Sequence, residues 1–447
     1  MLDPAAPSAL DLTNFSTYIQ SCVDLANQRL TNTQTPEEAA GLEDELNSYP
    51  RLNMLSEPRD IFVVDESSVG EEEKKTAVSA LLNGEVLLEH TCAGEATRLG
   101  LGTKYLINPL KDLTSEVMER LLPRGADCPV RPGDLHDMSL GRRHMLQLTW
   151  DLSALARINS LDPDEVLKKQ KLLVIVNEAA GEKVLEDFQE AAYYGFEREK
   201  VFFMVQKSFH GLSRGDQGWF YDDHSPKRLH NHGQMFMQTT MDHQLFRLDE
   251  KGSPKTLPWA EYQEVLSGCI DKVSFNIEDL DYLDTSLDLT GLAAALKLAE
   301  EGVGMIMEVV ANNPANPQKG GLCAWDAGLD RNVMIESFQL AGLPNSEIKF
   351  LNKNINHYPN PLTAAKAARE KGLAMSMTVK GGFLYFQPVQ GDVNFLVPTA
   401  YVRRAKLNPI SSWKSGANTI DALKAMAAQE ARPGFMAWAR DLLGLGV

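Results

Sequence analysis

From Glu85 to about residue 310 the chain alternates short apolar runs with amphipathic windows, and this alternation narrows its fold more than any other feature. The runs VLLEH (86–90), KLLVIV (171–176), VFFMV (201–205), CIDKVSF (269–275) and VGMIMEVV (303–310) have the length and composition of buried strands. Between them, EKVLEDFQEAAYYG (182–195) and TGLAAALKLAEEG (290–302) repeat apolar residues at three- and four-residue spacing and end on glycine, as helices do. Strands joined through helices pair in parallel, because the connection must cross back over the sheet. The expected fold is therefore α/β, with a mainly parallel mixed sheet over residues 81–395.

Residues 1–80 are polar and helix-prone, with acidic clusters at 41–46 and 70–75, and predict a helical appendage with solvated faces. Past residue 310 the runs RNVMIESF, SEIKFLNKNINHY, AMSMTV and GFLYFQP mix with turns and predict an antiparallel extension beside the parallel sheet. Residues 396–447 read as a small α-rich region with helices in TIDALKAMAAQEA and PGFMAWARDLLGLG.

Composition narrows the function. A net charge of -17 would repel a phosphate backbone or an anionic bilayer, so neither nucleic acid nor membrane is expected as a partner. A phosphate-bearing substrate would then need a local basic site. Five scattered cysteines without a C-x-x-C pair fit reduced thiols in a cytoplasm better than a disulfide framework. No apolar stretch is long enough to cross a bilayer, and the N-terminus lacks the pattern of a signal peptide.

The segment VLLEHTCAGEATRLGLGTKYLINP (86–109) carries the most chemistry. A strand runs into a loop of small residues, which lets main-chain N–H groups approach phosphate oxygens, and Arg98 and Lys104 add fixed positive charge. The loop is neither a Walker A sequence nor a dinucleotide G-x-G-x-x-G.

Ala93-Gly94-Glu95-Ala96-Thr97-Arg98-Leu99-Gly100 resembles the G-G-x-G-T-R-L-G loop of sugar nucleotidyltransferases, with Lys104 in place of that family's P-K lysine. Further segments follow in the order of the UDP-sugar pyrophosphorylases, over roughly residues 50 to 430. The stretch 171–206 is similar to the one whose closing glutamine, here Gln206, reads uracil. An amide offers the donor and acceptor that a uracil edge requires. LHNHGQMF (229–236) resembles the P-x-G-H-G loop through His232 and Gly233, and the spacing of His224, His230 and His232 fits no zinc pattern. VSFNIEDLDYLD (273–284) is similar to the S-N-x-D-N-L segment and makes Glu278 the counterpart of an aspartate that holds Mg2+. NVMIESFQL and KFLNKNINHY resemble sugar-contacting strands, through Glu336 and through Asn352 and Asn354. Lys380 and Lys414 stand where the family has phosphate-facing lysines, although single lysines are usually solvated.

The resemblance thus implies a Rossmann-like nucleotidyltransferase domain and a uridylyltransferase that forms UDP-sugar and pyrophosphate from UTP and a sugar 1-phosphate with Mg2+. Arg98 and Lys104 would be catalytic. Ala93, Gly94, Glu95, Gln206, His232 and Gly233 would bind nucleotide, and Glu336, Asn352, Asn354, Lys380 and Lys414 the sugar phosphate. Glucose 1-phosphate is the favoured substrate. N-acetylglucosamine 1-phosphate, or non-catalytic binding of a nucleotide sugar, are the alternatives, because Ala93, Ala96 and Glu278 depart from the family pattern. Alanine at 96 suits a phosphate loop only if that position is not left-handed.

Overall fold

The computed structural model describes residues 10–122, 125–313, 317, 320–405 and 412–444. Among these, one sheet of thirteen strands organises the molecule. Its main path uses ten strands, labelled in chain order: β1 (Phe62–Val64), β2 (Val86–Thr91), β3 (Lys171–Asn177), β4 (Val201–Gln206), β5 (Leu245–Leu248), β6 (Pro254–Leu257), β7 (Asp271–Asn276), β8 (Met305–Ala311), β9 (Phe350–His357) and β10 (Thr399–Arg404). They lie side by side in the order β6-β5-β4-β3-β2-β7-β9-β8-β10-β1. Strands β4, β3, β2 and β7 are mutually parallel, with Leu88 opposite Leu172 on one side and Val273 on the other.

The apolar runs are continuous because both faces of the sheet are covered. Along β3, Leu172, Val174 and Val176 join one core cluster, while Leu173 and Ile175 join another on the opposite face. The first cluster is roofed by the helix Leu140–Ile158, which Ser139 starts by accepting the Arg142 N–H. The second is closed by Tyr262 and Leu266 of the helix Trp259–Ser267.

Four segments depart from the sequence expectation. Residues 62–83 are not part of a separate appendage: β1 pairs in parallel with β10, and the helix Glu71–Asn83 packs Ala77, Ala80, Leu81 and Leu82 into the main core. Burial of Leu81 and Leu82 contributes about 1.5–3 kcal/mol each. The acidic run at its start is a helix first turn, where Glu71, Glu72 and Glu73 meet the positive end of the dipole. The helix stops at Gly84, whose φ of 68° places the main chain against Lys169 where no Cβ would fit.

Strand β9 does not extend the sheet from outside but is inserted within it, antiparallel to both β7 and β8. Residues 377–386 leave the large sheet and pair with 212–221 in a separate four-stranded sheet, against which the helix Phe15–Arg29 packs Tyr18 and Cys22. Residues 396–447 supply β10 to the central sheet as well as the helices Thr419–Glu430 and Phe435–Leu442 on the main core.

Candidate active site

Strand β2 is followed in the sheet by β3 on one side and by β7 on the other, so the loops after β2 and β7 diverge at the carboxyl ends of the strands. In open α/β sheets such a switch point is where a crevice forms. Here it is a cleft of about 530 Å³ lined by Glu95, Ala96, Thr97, Arg98, Lys104, His232, Glu278, Gly320, Gly321, Glu336, Leu351, Asn352 and Lys414.

The loop after β2 is closed by its own main chain. Ala96 N–H donates to the Gly102 carbonyl at 2.6 Å, Lys104 N–H to that of Gly94 at 3.0 Å, and Leu99 and Gly100 N–H both to Ala96. Positive φ is confined to Gly100 and Gly102, so Ala93 and Ala96 fit without strain. Leu99 is fully buried and pins the loop to the core, which leaves Thr97 and Arg98 exposed at the cleft. The base of the loop is held by Asn177 at the end of β3. Its Nδ2 donates to the Ala93 carbonyl at 2.9 Å, and its Oδ1 accepts from Ala180 N–H at 2.9 Å. This tie had one sequence signal, a polar residue directly closing the apolar run KLLVIV.

The opposite wall comes from the turn after β7. The main-chain carbonyl of Glu278 accepts from Trp413 N–H at 2.9 Å, and Asp279 bridges to Ser412. Trp413 is fully buried and donates its indole N–H to Thr419, so its burial fixes Lys414 beside Glu278. The Glu278 carboxylate then meets two ammonium groups: Lys104 on one oxygen and Lys414, at 3.0 Å, on the other. Burial pushes the Glu278 carboxyl up, but Lys414 and Lys104 outweigh it and hold it below its usual range.

His232 sits in the first turn of the helix Asn231–Gln238, and its Nδ1 accepts the Gln390 N–H at 2.8 Å. That fixes the proton of the neutral ring on Nε2. Burial, with Lys414 adding to it, lowers its pKa to about 4, so the imidazole is uncharged at neutral pH. Glu336, just past the strand Arg331–Ile335, has its carboxyl raised by burial. Asn352 lines the cleft from β9, and the side chain of Asn354 lies outside the described residues.

Arg98, Lys104, Glu95, His232, Glu278, Glu336, Asn352 and Lys414 are therefore brought together, from segments up to about 320 residues apart. Ala93 and Gly94 form the stem of the loop. Neither of these lines the cleft, and three further expected residues do not line it either. Gln206 is buried and donates its amide to the Asn231 carbonyl at 3.0 Å and to Gln234 at 3.2 Å, in a ladder that continues to Gln238 and Gln244. Gly233 packs on protein main chain: its N–H donates to the Pro388 carbonyl, and a Cβ there would stand 2.5 Å from Pro388 and Val389 main-chain atoms. Lys380 is exposed at the end of a hairpin strand whose turn is Gly381-Gly382. His230 is a core residue stacked on Phe209 at 3.8 Å.

The donor set does not suit Mg2+ at Glu278. The ion takes oxygen ligands, and both carboxylate oxygens already hold ammonium groups. A dication at ligand distance would stand about 4 Å from an ammonium, a repulsion of about 8 kcal/mol at an effective dielectric of 20. Among the described residues no group of three or more His, Cys, Asp or Glu side chains has metal-binding geometry.

No protein-family model matches the chain, and no curated protein matches its sequence. Solved structures match its fold. The UDP-N-acetylglucosamine pyrophosphorylase of Trypanosoma brucei, in complex with an inhibitor, is 14% identical over 95% of this chain and 88% of its own, with a TM-score of 0.59. A variant UDP-glucose pyrophosphorylase of Leishmania major is 13% identical over 91% of this chain and 78% of its own, with a TM-score of 0.56. A putative UDP-N-acetylglucosamine pyrophosphorylase of Entamoeba histolytica is 14% identical over 83% and 86%, with a TM-score of 0.53. The chain shares the fold of the UDP-sugar pyrophosphorylases. Among the described residues no helix is long and apolar enough to cross a membrane.

Proposed function

We propose that the chain is a uridylyltransferase that joins UTP and a sugar 1-phosphate, with glucose 1-phosphate favoured. One observation carries the reading: Arg98 and Lys104 of one loop and Lys414 of a segment about 310 residues further on converge on one cleft at the carboxyl ends of β2 and β7, opposite Glu336 and Asn352. Proteins sharing this fold at low identity are named as pyrophosphorylases of UDP-sugars, which supports the same class of reaction.

A phosphate oxygen of the sugar 1-phosphate would attack the α-phosphorus of UTP in line, the α-β bridging bond would break, and pyrophosphate would leave with that oxygen. No proton has to move in this exchange, so the protein's part is positioning and charge. Arg98, which forms no ion pair among the described residues, would meet the triphosphate from the exposed side of the loop. Lys104 and Lys414 would meet phosphate oxygens when they leave Glu278, and His232 would donate from Nε2. A carboxyl at Glu336 whose pKa is raised by burial would bond sugar hydroxyls. Uracil recognition at Gln206 would exchange the bond to the Asn231 carbonyl for one to the base.

The internal engagement of Glu278 and Gln206 favours one second reading, a nucleotide-sugar binding protein without turnover. Pyrophosphate release from UTP and a panel of sugar 1-phosphates, with Arg98→Ala as control, separates the two. Release that needs one sugar and is lost in the control supports transfer. UDP-sugar binding without release from any sugar refutes it and leaves the binding protein.

A further inference from the structure

Glu278 is part of the phosphate-facing wall, yet it is itself an anion seated on the wall's cations. Its two oxygens are shared between Lys104 and Lys414, whose positions are fixed independently. Lys104 is 7% exposed and its N–H is bonded into the loop after β2, while Lys414 follows the buried Trp413. The geometry is that of a carboxylate bridging two ammonium groups set to receive phosphate oxygens. A phosphate group presents the same chemistry as the carboxylate, with more charge and more acceptor oxygens.

We propose that Glu278 is the internal counter-ion of a lysine pair and not a metal ligand, and that pyrophosphate-bearing ligands take Lys104 and Lys414 from it without a divalent cation. The inference rests on the reading of this cleft as a phosphate site, and it assigns Glu278 a positioning role exerted through the two lysines. The carboxylate keeps the unliganded lysines paired and in place. It also competes with the ligand for them, so its removal strengthens anion binding.

Isothermal titration with two probes tests this on the full chain. Wild-type protein should bind UDP-glucose with dissociation constants that agree within about twofold in EDTA and in millimolar Mg2+. Inorganic pyrophosphate, titrated in EDTA, should bind Glu278→Gln about tenfold more tightly than wild type. A UDP-glucose affinity that needs Mg2+, or a Glu278→Gln variant that binds pyrophosphate as wild type or more weakly, overturns the proposal. So does failure of pyrophosphate to bind either protein. The comparison in EDTA and Mg2+ uses wild type alone and decides the question if the variant does not fold. Pyrophosphate binding that follows the prediction while UDP-glucose does not bind would uphold the lysine pair and refute the choice of glucose 1-phosphate instead.

Discussion

Replacement of Asn177 by alanine isolates the contact that sets the loop after β2 on the sheet. The side chain is 2% exposed, and its amide bonds the Ala93 carbonyl, Thr103 Oγ1 and the Ala180 N–H. Truncation strands the Ala93 carbonyl, on a residue 3% exposed, while the Ala180 N–H keeps its second acceptor, the Asn177 main-chain carbonyl at 3.3 Å. A buried polar group left without a partner costs about 1–3 kcal/mol, and water entering from the cleft recovers part of the share at Ala93. The expected loss is therefore about 1–3 kcal/mol, read as a lower urea midpoint at unchanged slope. Asn177→Asp keeps the acceptor for Ala180 but aims a carboxylate at the Ala93 carbonyl, so it should be destabilised too and should loosen the loop specifically. If the reaction is uridylyl transfer, a displacement of Arg98 and Lys104 of about 1 Å should lower turnover about 100-fold in either variant. Stability of Asn177→Ala within about 0.5 kcal/mol of wild type would refute the assignment of Asn177 as the tie.

Three further outcomes are expected. His357 and Asp271 are buried together at 2.6 Å; burial alone would lower the imidazole's pKa, but Asp271 holds it above the ordinary value. Its stabilising contribution is therefore complete below about pH 6.5 and lost as pH rises through the folded-state value, so Asp271→Asn should flatten the alkaline fall in urea midpoint; an unchanged profile refutes this. Gly233→Ala forces a Cβ onto the main chain of Pro388 and Val389 and should cost about 1–3 kcal/mol in a denaturation curve, whereas a base-contacting role alone would leave stability intact. Lys414→Ala should weaken UDP-glucose binding at least about tenfold, while Lys380→Ala, exposed on the separate sheet, should leave it unchanged; equal effects in a titration would contradict the placement.

The local part of this site is legible in the sequence because it is built from one strand and the loop that leaves it. An apolar run, small residues, then arginine and lysine at fixed spacing already point to a loop at the end of β2 that brings both cations to the cleft. Lys380 shows where order along the chain misleads. The Gly381-Gly382 pair between MTVK and FLYF is the signal of a tight hairpin, and a hairpin turn carries its flanking lysine to the surface. Gln206 and Gly233 show a different limit: each has the right residue type for a base contact, but glutamine satisfies a protein carbonyl as readily as uracil, and glycine admits a neighbouring main chain as readily as a ring.

What no pattern announces is the partner of a charge. Glu278 is 174 residues from Lys104 and they meet only because β7 lies beside β2, which in turn depends on crossovers that the sequence shows only as helices. The insertion of β9 is hidden for the same reason, since SEIKFLNKNINHY reads as part of an antiparallel extension beside the sheet and only its pairing between β7 and β8 makes it central. A motif match names Glu278 by its place after a strand, and that place is right. Its chemistry is set by Trp413, buried 135 residues further on, which brings a second ammonium to the carboxylate. The charge available to a ligand in this cleft is thus decided by core packing, and a substitution at Trp413 should alter phosphate affinity without touching any residue that the ligand meets.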